Sequence, residues 1–276
     1  MLIIFIFVRF RTNKVKKNIF TYFWIMTKTV LVGAGHLAFH FQNQLTKSKK
    51  FQLIQWYSRS IEKVTFSQKK LDITDQLYQL KEADLYLICV SDDAIASVSK
   101  KIETEGLVAH CAGGVPLDRL KGPSKKAVFY PLQTFTKGAD LSFEQLPFCI
   151  ETTAASDQKI LQDLAEELGG TAHKIDSQKR AMIHLIAVFL NNFGNHLLHL
   201  GNDLAKKNNI PFEIFHPLIH ETFAKALSNG PKNAQTGPAL RHDQKTIDKH
   251  LSLLDDKDIK KLYIHLTSSI QKKHEQ

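Results

Sequence analysis

Cysteine is scarce in this chain. Among 276 residues there are three, Cys89, Cys111 and Cys149. The number is odd, no two are close in sequence, and each lies in or beside an apolar segment. This excludes a disulfide framework and zinc-type spacing, and implies buried free thiols in a reducing compartment. The sequence also lacks internal repeats, low-complexity linkers and any basic patch interleaved with aromatics, which argues against nucleic acid as a partner. The first 25 residues contain no acid, and they carry five of the ten excess positive charges: Arg9, Arg11, Lys14, Lys16 and Lys17. The apolar run "LIIFIFV" in that segment has seven residues, too few to span a bilayer. Its charges follow the run rather than precede it, and no small-residue cleavage site is evident, so it does not read as a secretory signal. Met26 then opens "MTKTVLVGAGH". Residues 1–25 are expected to be a non-native or disordered extension. A weak membrane-surface anchor, apolar plus basic, is the alternative.

What is present is ample apolar material. Hydrophobic residues make up 43% of the chain, enough for a proper core and against wholesale disorder. Short apolar runs at 29–32, 53–57, 85–90, 107–111, 127–130, 147–151 and 171–175 read as strands buried on both faces. Helical patterns at 37–47, 73–80, 95–103 and 157–168 lie between several of them. The alternation predicts a doubly wound, mainly parallel α/β sheet over 26–176. After Asp176 no strand signal remains. Helical patterns run over 177–208, 212–227, 244–254 and 258–272, predicting an all-helical domain over 177–276.

At the front of the α/β pattern, "TVLVGAGHLAFHF" places Gly33, Gly35 and Ala38 in the spacing G-x-G-x-x-A. The first glycine permits a sharp turn, the second lets backbone approach a pyrophosphate, and the small third residue lets helix and strand pack closely. The helix N-terminus then offers free N–H groups to phosphate. The motif follows a strand and opens a helix, which favours a dinucleotide over a plain corner. The pyrophosphate turn comprises Gly33, Gly35, His36, Leu37 and Ala38. At the end of the second strand, where an NAD site usually has an acid, the chain has Ser58, Arg59 and Ser60. Hydroxyls and a guanidinium suit a ribose 2′-phosphate, so NADP(H) is preferred over NAD(H). Val90 and Ser91 after the next strand should line the same crevice, as should His110, Ala112 and Gly113 after the one following. A histidine closing a strand is also a common structural element. Cys111 beside His110 could be read as a nucleophile, but its surroundings favour packing.

Taken in order, "GAGHLA", "YSRS", "HCAGG", "VFYPLQTFTKG", "HLIAVFLNNFGNHL" and "TGPALRHD" resemble the Rossmann-like oxidoreductase family with a C-terminal domain of unknown function, DUF2520. The resemblance covers nearly all of 29–270. The family is grouped with 6-phosphogluconate dehydrogenase-like proteins, and its relatives include pyrroline-5-carboxylate reductase and deazaflavin-dependent NADP reductase. It implies NADP binding in the first domain and a helical dimerisation domain behind it. One departure is His36, where the family pattern has Asn after the second glycine.

The segment 177–208 is apolar nearly all round and is expected to be buried. His184, Asn191 and Asn195 fall on one face at helical spacing, with Asn192 and His199 on its shoulder. In the related dehydrogenases a polar residue on this helix faces the nicotinamide. His184 is therefore the candidate proton donor, with Asn191 and Asn195 positioning substrate. The competing reading is a satisfied core histidine with amides bridging helices. His196 with His199 and His216 with His220 have metal-like spacing, but no carboxylate pattern completes a site, and no metal is expected. Arg241 could clamp a carboxylate substrate or pair with Asp243 on the surface. Tyr130, Gln133 and Thr134 should sit at another strand end facing the same cleft, Gln133 as a substrate contact.

These features lead to one expectation: a cytoplasmic, homodimeric oxidoreductase moving a hydride between NADPH and a C=O or C=N group of a small molecule. The alternative on the same fold is a non-catalytic NAD(P)-binding sensor or regulator. A membrane-surface protein would rest on residues 1–25 alone.

Overall fold

The apolar runs of the first half pair side by side. The structure, a computed structural model, describes residues 26–64, 71–138 and 141–274; the extension expected at 1–25 lies outside them. Among the described residues eight strands form one sheet: β1 (Thr27–Val32), β2 (Phe51–Tyr57), β3 (Asp72–Thr74), β4 (Leu85–Ile88), β5 (Leu107–His110), β6 (Lys126–Pro131), β7 (Pro147–Thr152) and β8 (Thr171–Lys174). Their order is β3-β2-β1-β4-β5-β6-β7-β8. Every pairing is parallel except β6 with β7, which is antiparallel. The first six strands thus have the doubly wound dinucleotide-fold order, and its switch point lies between β1 and β4.

Strand periodicity sends alternate residues to opposite faces. Leu31, Leu87 and Ala109 join Phe41, Trp56, Phe129 and Phe148 on one face, where Phe129 and Phe148 stack with ring centroids 4.5 Å apart. Val30, Val32, Tyr86, Ile88 and Val108 pack on the other. Each large side chain fully buried this way contributes about 1.5–3 kcal/mol. Three helices flank these strands: α1 (His36–Leu45), α2 (Ile95–Ser99) and α3 (Gln158–Glu167). All three cysteines are buried free thiols.

The helix expected over 73–80 is not formed. The chain makes edge strand β3 and then a short 3₁₀ turn, Leu77–Gln79. Side-chain chemistry overrides the periodicity here. The Thr74 hydroxyl accepts the Gln76 N–H at 3.1 Å and donates to Gln79 Oε1 at 2.8 Å, while Gln55 Nε2 ties Asp72 to β2 at 2.9 Å.

No strand follows Lys174 among the described residues. Helix α4 (Ser177–Ala187) opens on an Asp176 cap, whose carboxylate accepts the Lys179 N–H. A π-helical turn (Val188–Phe193) and α5 (Gly194–Lys207) continue it. Then come α6 (His216–Asn229), the short α7 (Pro231–Ala234), α8 (Gln244–Leu253) and α9 (Lys257–His274). The chain divides into two compact units, Met1–Asn195 and His196–Gln276.

The long helical segment, expected to be buried, is largely open. Leu190 is 72% exposed and Phe189 60%, and Met182, Ile186 and Phe193 are each at least half open or nearly so. The span Ser177–Lys207 is long and apolar enough to cross a membrane by length and composition. Arg180, His184, Asn191, Asn192 and Asn195 place polar and charged groups along its length.

Candidate active site

The site lies at the carboxyl ends of the central strands. Gly33 directly follows β1, and its φ of +115° suits glycine. A Cβ there would lie 2.1 Å from the Cys89 carbonyl oxygen, so Gly33 is required both by conformation and by space. Trp56 Nε1 donates to the Gly33 carbonyl at 2.6 Å, and Gly33 N–H to the Tyr57 carbonyl at 2.9 Å. Gly35 differs. It is exposed with φ −76°, and the nearest atom to an added Cβ is 3.9 Å away, so its outer side is open. Ala38 is fully buried against the sheet and Leu37 packs at its edge, which seats α1 with its N-terminus at the turn. Open backbone at Gly35, a tight Gly33 and free N–H groups at a helix start form a cradle that fits a pyrophosphate.

Two histidines one turn apart on α1 reach the same loop. His36 Nδ1 donates to the Phe135 carbonyl at 3.0 Å, and His40 Nε2 to the Thr136 carbonyl at 2.9 Å. The loop of residues 132–137, part of "FYPLQTFTKG", is thereby strapped beside the glycine turn. His40 is a site-building residue that the sequence pattern left unnoticed. Its only signal was the i, i+4 spacing to His36.

At the end of β2 the exposed Arg59 follows Ser58. Ser58 is buried, and its hydroxyl is committed locally, donating to the Ser60 carbonyl at 2.9 Å and accepting the Ser60 N–H at 3.2 Å. Ser58 therefore shapes the turn that presents Arg59 and the half-buried Ser60, and its own hydroxyl is not offered outward. After β4, Val90 is half-buried with its side chain 3.2 Å from the added-Cβ position of Gly33, and Ser91 is exposed. His110 is fully buried, and its Nδ1 accepts the Ala112 N–H at 3.2 Å, so its ring helps to fold the loop. Burial, aided by the Arg180 charge, pushes its pKa down to about 4, leaving a neutral imidazole at physiological pH. Cys111 is likewise no nucleophile. Burial, with the neighbouring Cys89 thiol, holds its pKa well above the ordinary thiol range.

The loop after β5 provides a seat for aromatic rings. A Cβ on the buried Gly113 would lie 2.7 Å from the Tyr130 ring and 2.8 Å from His184 Nδ1. Tyr130, on β6, and His184, on α4, meet edge to face over this glycine, with the Tyr130 hydroxyl 3.4 Å from His184 Nδ1. Burial, then the nearby Cys149, raises the Tyr130 pKa, so the phenol keeps its proton.

What places His184 is Arg180, one turn earlier on α4. Arg180 is fully buried and ion-paired with Glu151 at the end of β7. Its guanidinium also donates to the Val115 carbonyl at 2.6 Å and to Ser177 Oγ at 3.2 Å. Ser177 donates to Glu151 at 2.8 Å and accepts the Leu117 N–H at 3.0 Å. The start of α4 is thus bolted to the sheet and to the loop after β5. In the sequence, the i, i+4 step to His184 is the one visible trace of Arg180's role.

Between the strap and the helix lies a cleft of about 690 Å³. Tyr130, His184, Asn191, Asn192, Gln133 and Thr134 supply its polar lining, and Leu132, Phe135, Ile183, Ile186 and Leu190 most of the apolar remainder. Gln133 Oε1 accepts the Thr134 N–H at 2.8 Å, which turns the strap at the cleft rim. Asn195 does not line the cleft, whereas Asn192 does. The π-helical turn explains the exchange: its i→i+5 bonds widen the turn and shift the face that seven- and four-residue steps assume. Arg241 is an exposed residue of the second unit, close enough to Asp243 to lower that carboxyl's pKa, after the larger effect of Thr246. Among the described residues no cluster of three or more His, Cys, Asp or Glu could hold a metal ion.

Residues 146–270 match the domain of unknown function DUF2520. A Bacteroides fragilis protein, provisionally described as an NADP oxidoreductase, is 37% identical; the match covers 90% of this chain and 98% of that one, with a TM-score of 0.81. A Thermotoga maritima protein is 21% identical over 90% of this chain and 98% of its own, with a TM-score of 0.67. The Plasmodium falciparum pyrroline carboxylate reductase, solved with NADP bound, shares the fold at 14% identity and a TM-score of 0.57, over 90% of this chain and 97% of that one. No curated protein sequence matches. The chain belongs to the Rossmann-like oxidoreductase family that carries a C-terminal DUF2520 domain.

Proposed function

We propose that this protein is an NADP-dependent oxidoreductase acting on a C=O or C=N group of a small molecule. The observation that carries the reading is the position of His184. It stands with Tyr130 on Gly113, at the carboxyl end of the sheet that also holds the glycine turn, and it opens onto the cleft. When bound, NADPH supplies a hydride. The protein's share is to hold the dinucleotide and manage the proton. The turn of residues 33–38 receives the pyrophosphate, and Arg59, with Ser60, receives the 2′-phosphate. His184 exchanges a proton with the substrate heteroatom, Tyr130 abuts its ring, Arg180 anchors the helix that carries it, and Asn191 and Gln133 orient the substrate. The family membership and the NADP oxidoreductase description of the Bacteroides relative support this assignment.

The test is NADPH oxidation followed by absorbance across a panel of aldehydes, ketones and cyclic imines. For any substrate turned over, His184→Gln is expected to lower kcat by about 100-fold or more while NADPH binding is retained. Unchanged kcat would remove His184 from the chemistry. Binding without turnover on every panel member would favour the sensor reading.

The exposed apolar stretch from Met182 to Phe193 is assigned to a second copy of the chain, because that much open leucine and phenylalanine is rarely left in water. Sedimentation equilibrium should give twice the monomer mass. A monomer at micromolar concentration would overturn the assignment.

A further inference from the structure

We propose that His36 meets the dinucleotide's pyrophosphate as an imidazolium, so that binding takes up a proton; this rests on the reading that the pyrophosphate sits at the glycine turn. A carbonyl only accepts, so the contact from His36 Nδ1 to the Phe135 carbonyl at 3.0 Å assigns the ring hydrogen to Nδ1. In a neutral imidazole the other nitrogen, Nε2, is then a bare acceptor. A phosphate oxygen is also only an acceptor, and two facing lone pairs repel. The imidazolium alone offers N–H at both edges, keeping the Phe135 bond and donating to phosphate.

Its place in the chain fits this role. His36 is exposed, follows the second glycine and is the first residue of α1. A bound pyrophosphate would set its negative charge beside this ring at the positive end of the helix. An asparagine at this position would donate without titrating, whereas a histidine is a proton-linked donor. On α1 the neighbouring titratable group is His40, buried and bonded to Thr136. The strap contributes Lys137, 5.9 Å from the Phe39 ring. Arg59 follows β2, and Asp92 and Asp93 follow β4, at the same end of the sheet.

The experiment is titration calorimetry of the full chain with NADP⁺, in two buffers of different ionisation enthalpy, from neutral to mildly alkaline pH. Wild type is compared with His36→Asn and His36→Gln. The 2′-phosphate of the ligand also titrates, near pH 6, but equally in all three proteins. Wild type is expected to take up as much as one proton more than either variant, and its affinity to fall with pH by up to about tenfold per unit relative to theirs. His36→Gln, which keeps a permanent N–H donor, should bind with a flat profile. Equal proton counts in the three proteins, with binding intact, would overturn the proposal alone. Absence of NADP⁺ binding by wild type would overturn the placement of the pyrophosphate, and this proposal with it.

Discussion

Arg180→Met is expected to destabilise the protein by about 3–5 kcal/mol, the range found when one partner of a buried ion pair is removed. Arg180 is fully buried, and its partner Glu151 has a side chain only 18% exposed. The substitution leaves that carboxylate facing Ser177 alone and removes the donors to the Val115 carbonyl and Ser177. Methionine fills much of the volume, so the loss reports on charge and hydrogen bonds more than on a cavity. Urea unfolding measures it. The double variant Arg180→Met/Glu151→Gln should recover part of the loss, because no unpaired charge remains. A single-variant loss below about 1 kcal/mol would mean that water reaches the pair. The local effect is as informative as the global one. His184 lies one turn further along α4, so loosening the bolt should displace its ring from Gly113 and lower turnover even where the variant is folded.

Gly35→Val is expected to abolish dinucleotide binding while leaving the fold intact. The backbone at Gly35 is extended, with φ −76°, and an added Cβ meets nothing closer than 3.9 Å. Valine is therefore tolerated by the protein, with a small cost for a poorer helix cap. Its branched side chain would occupy the open face that the pyrophosphate needs. Gly33→Ala differs in kind. It strains a left-handed backbone and drives a methyl into the Cys89 carbonyl, so its loss of binding would be mixed with loss of stability.

Much of this arrangement is legible in the sequence. Alternating apolar runs and helical patterns predicted the sheet, because burial on both faces leaves a plain signature in β1, β4 and β5. The glycine turn was legible for the same reason: Gly33 and Ala38 are fixed by local sterics. Three things were not. The helix expected at 73–80 was lost to the Thr74 hydroxyl, which competes with helical hydrogen bonds in a way that periodicity does not register. The choice between Asn195 and Asn192 depended on a π-helical turn, and straight-helix arithmetic cannot foresee it. Arg180, His40 and the burial of His110 and Ser58 depend on partners 29 to 96 residues distant or on a local turn, and one residue's type does not reveal them. The long helix exposed the limit of composition as a guide. It reads as buried, yet much of its apolar face is open.

The most direct test of the account is titration of wild type and Gly35→Val with NADPH and with NADH, following nicotinamide fluorescence, with circular dichroism confirming the fold of each. The account predicts micromolar NADPH binding by wild type, much weaker NADH binding, and no binding of either by the variant. Failure of folded wild type to bind either nucleotide, or unimpaired binding by Gly35→Val, would contradict it.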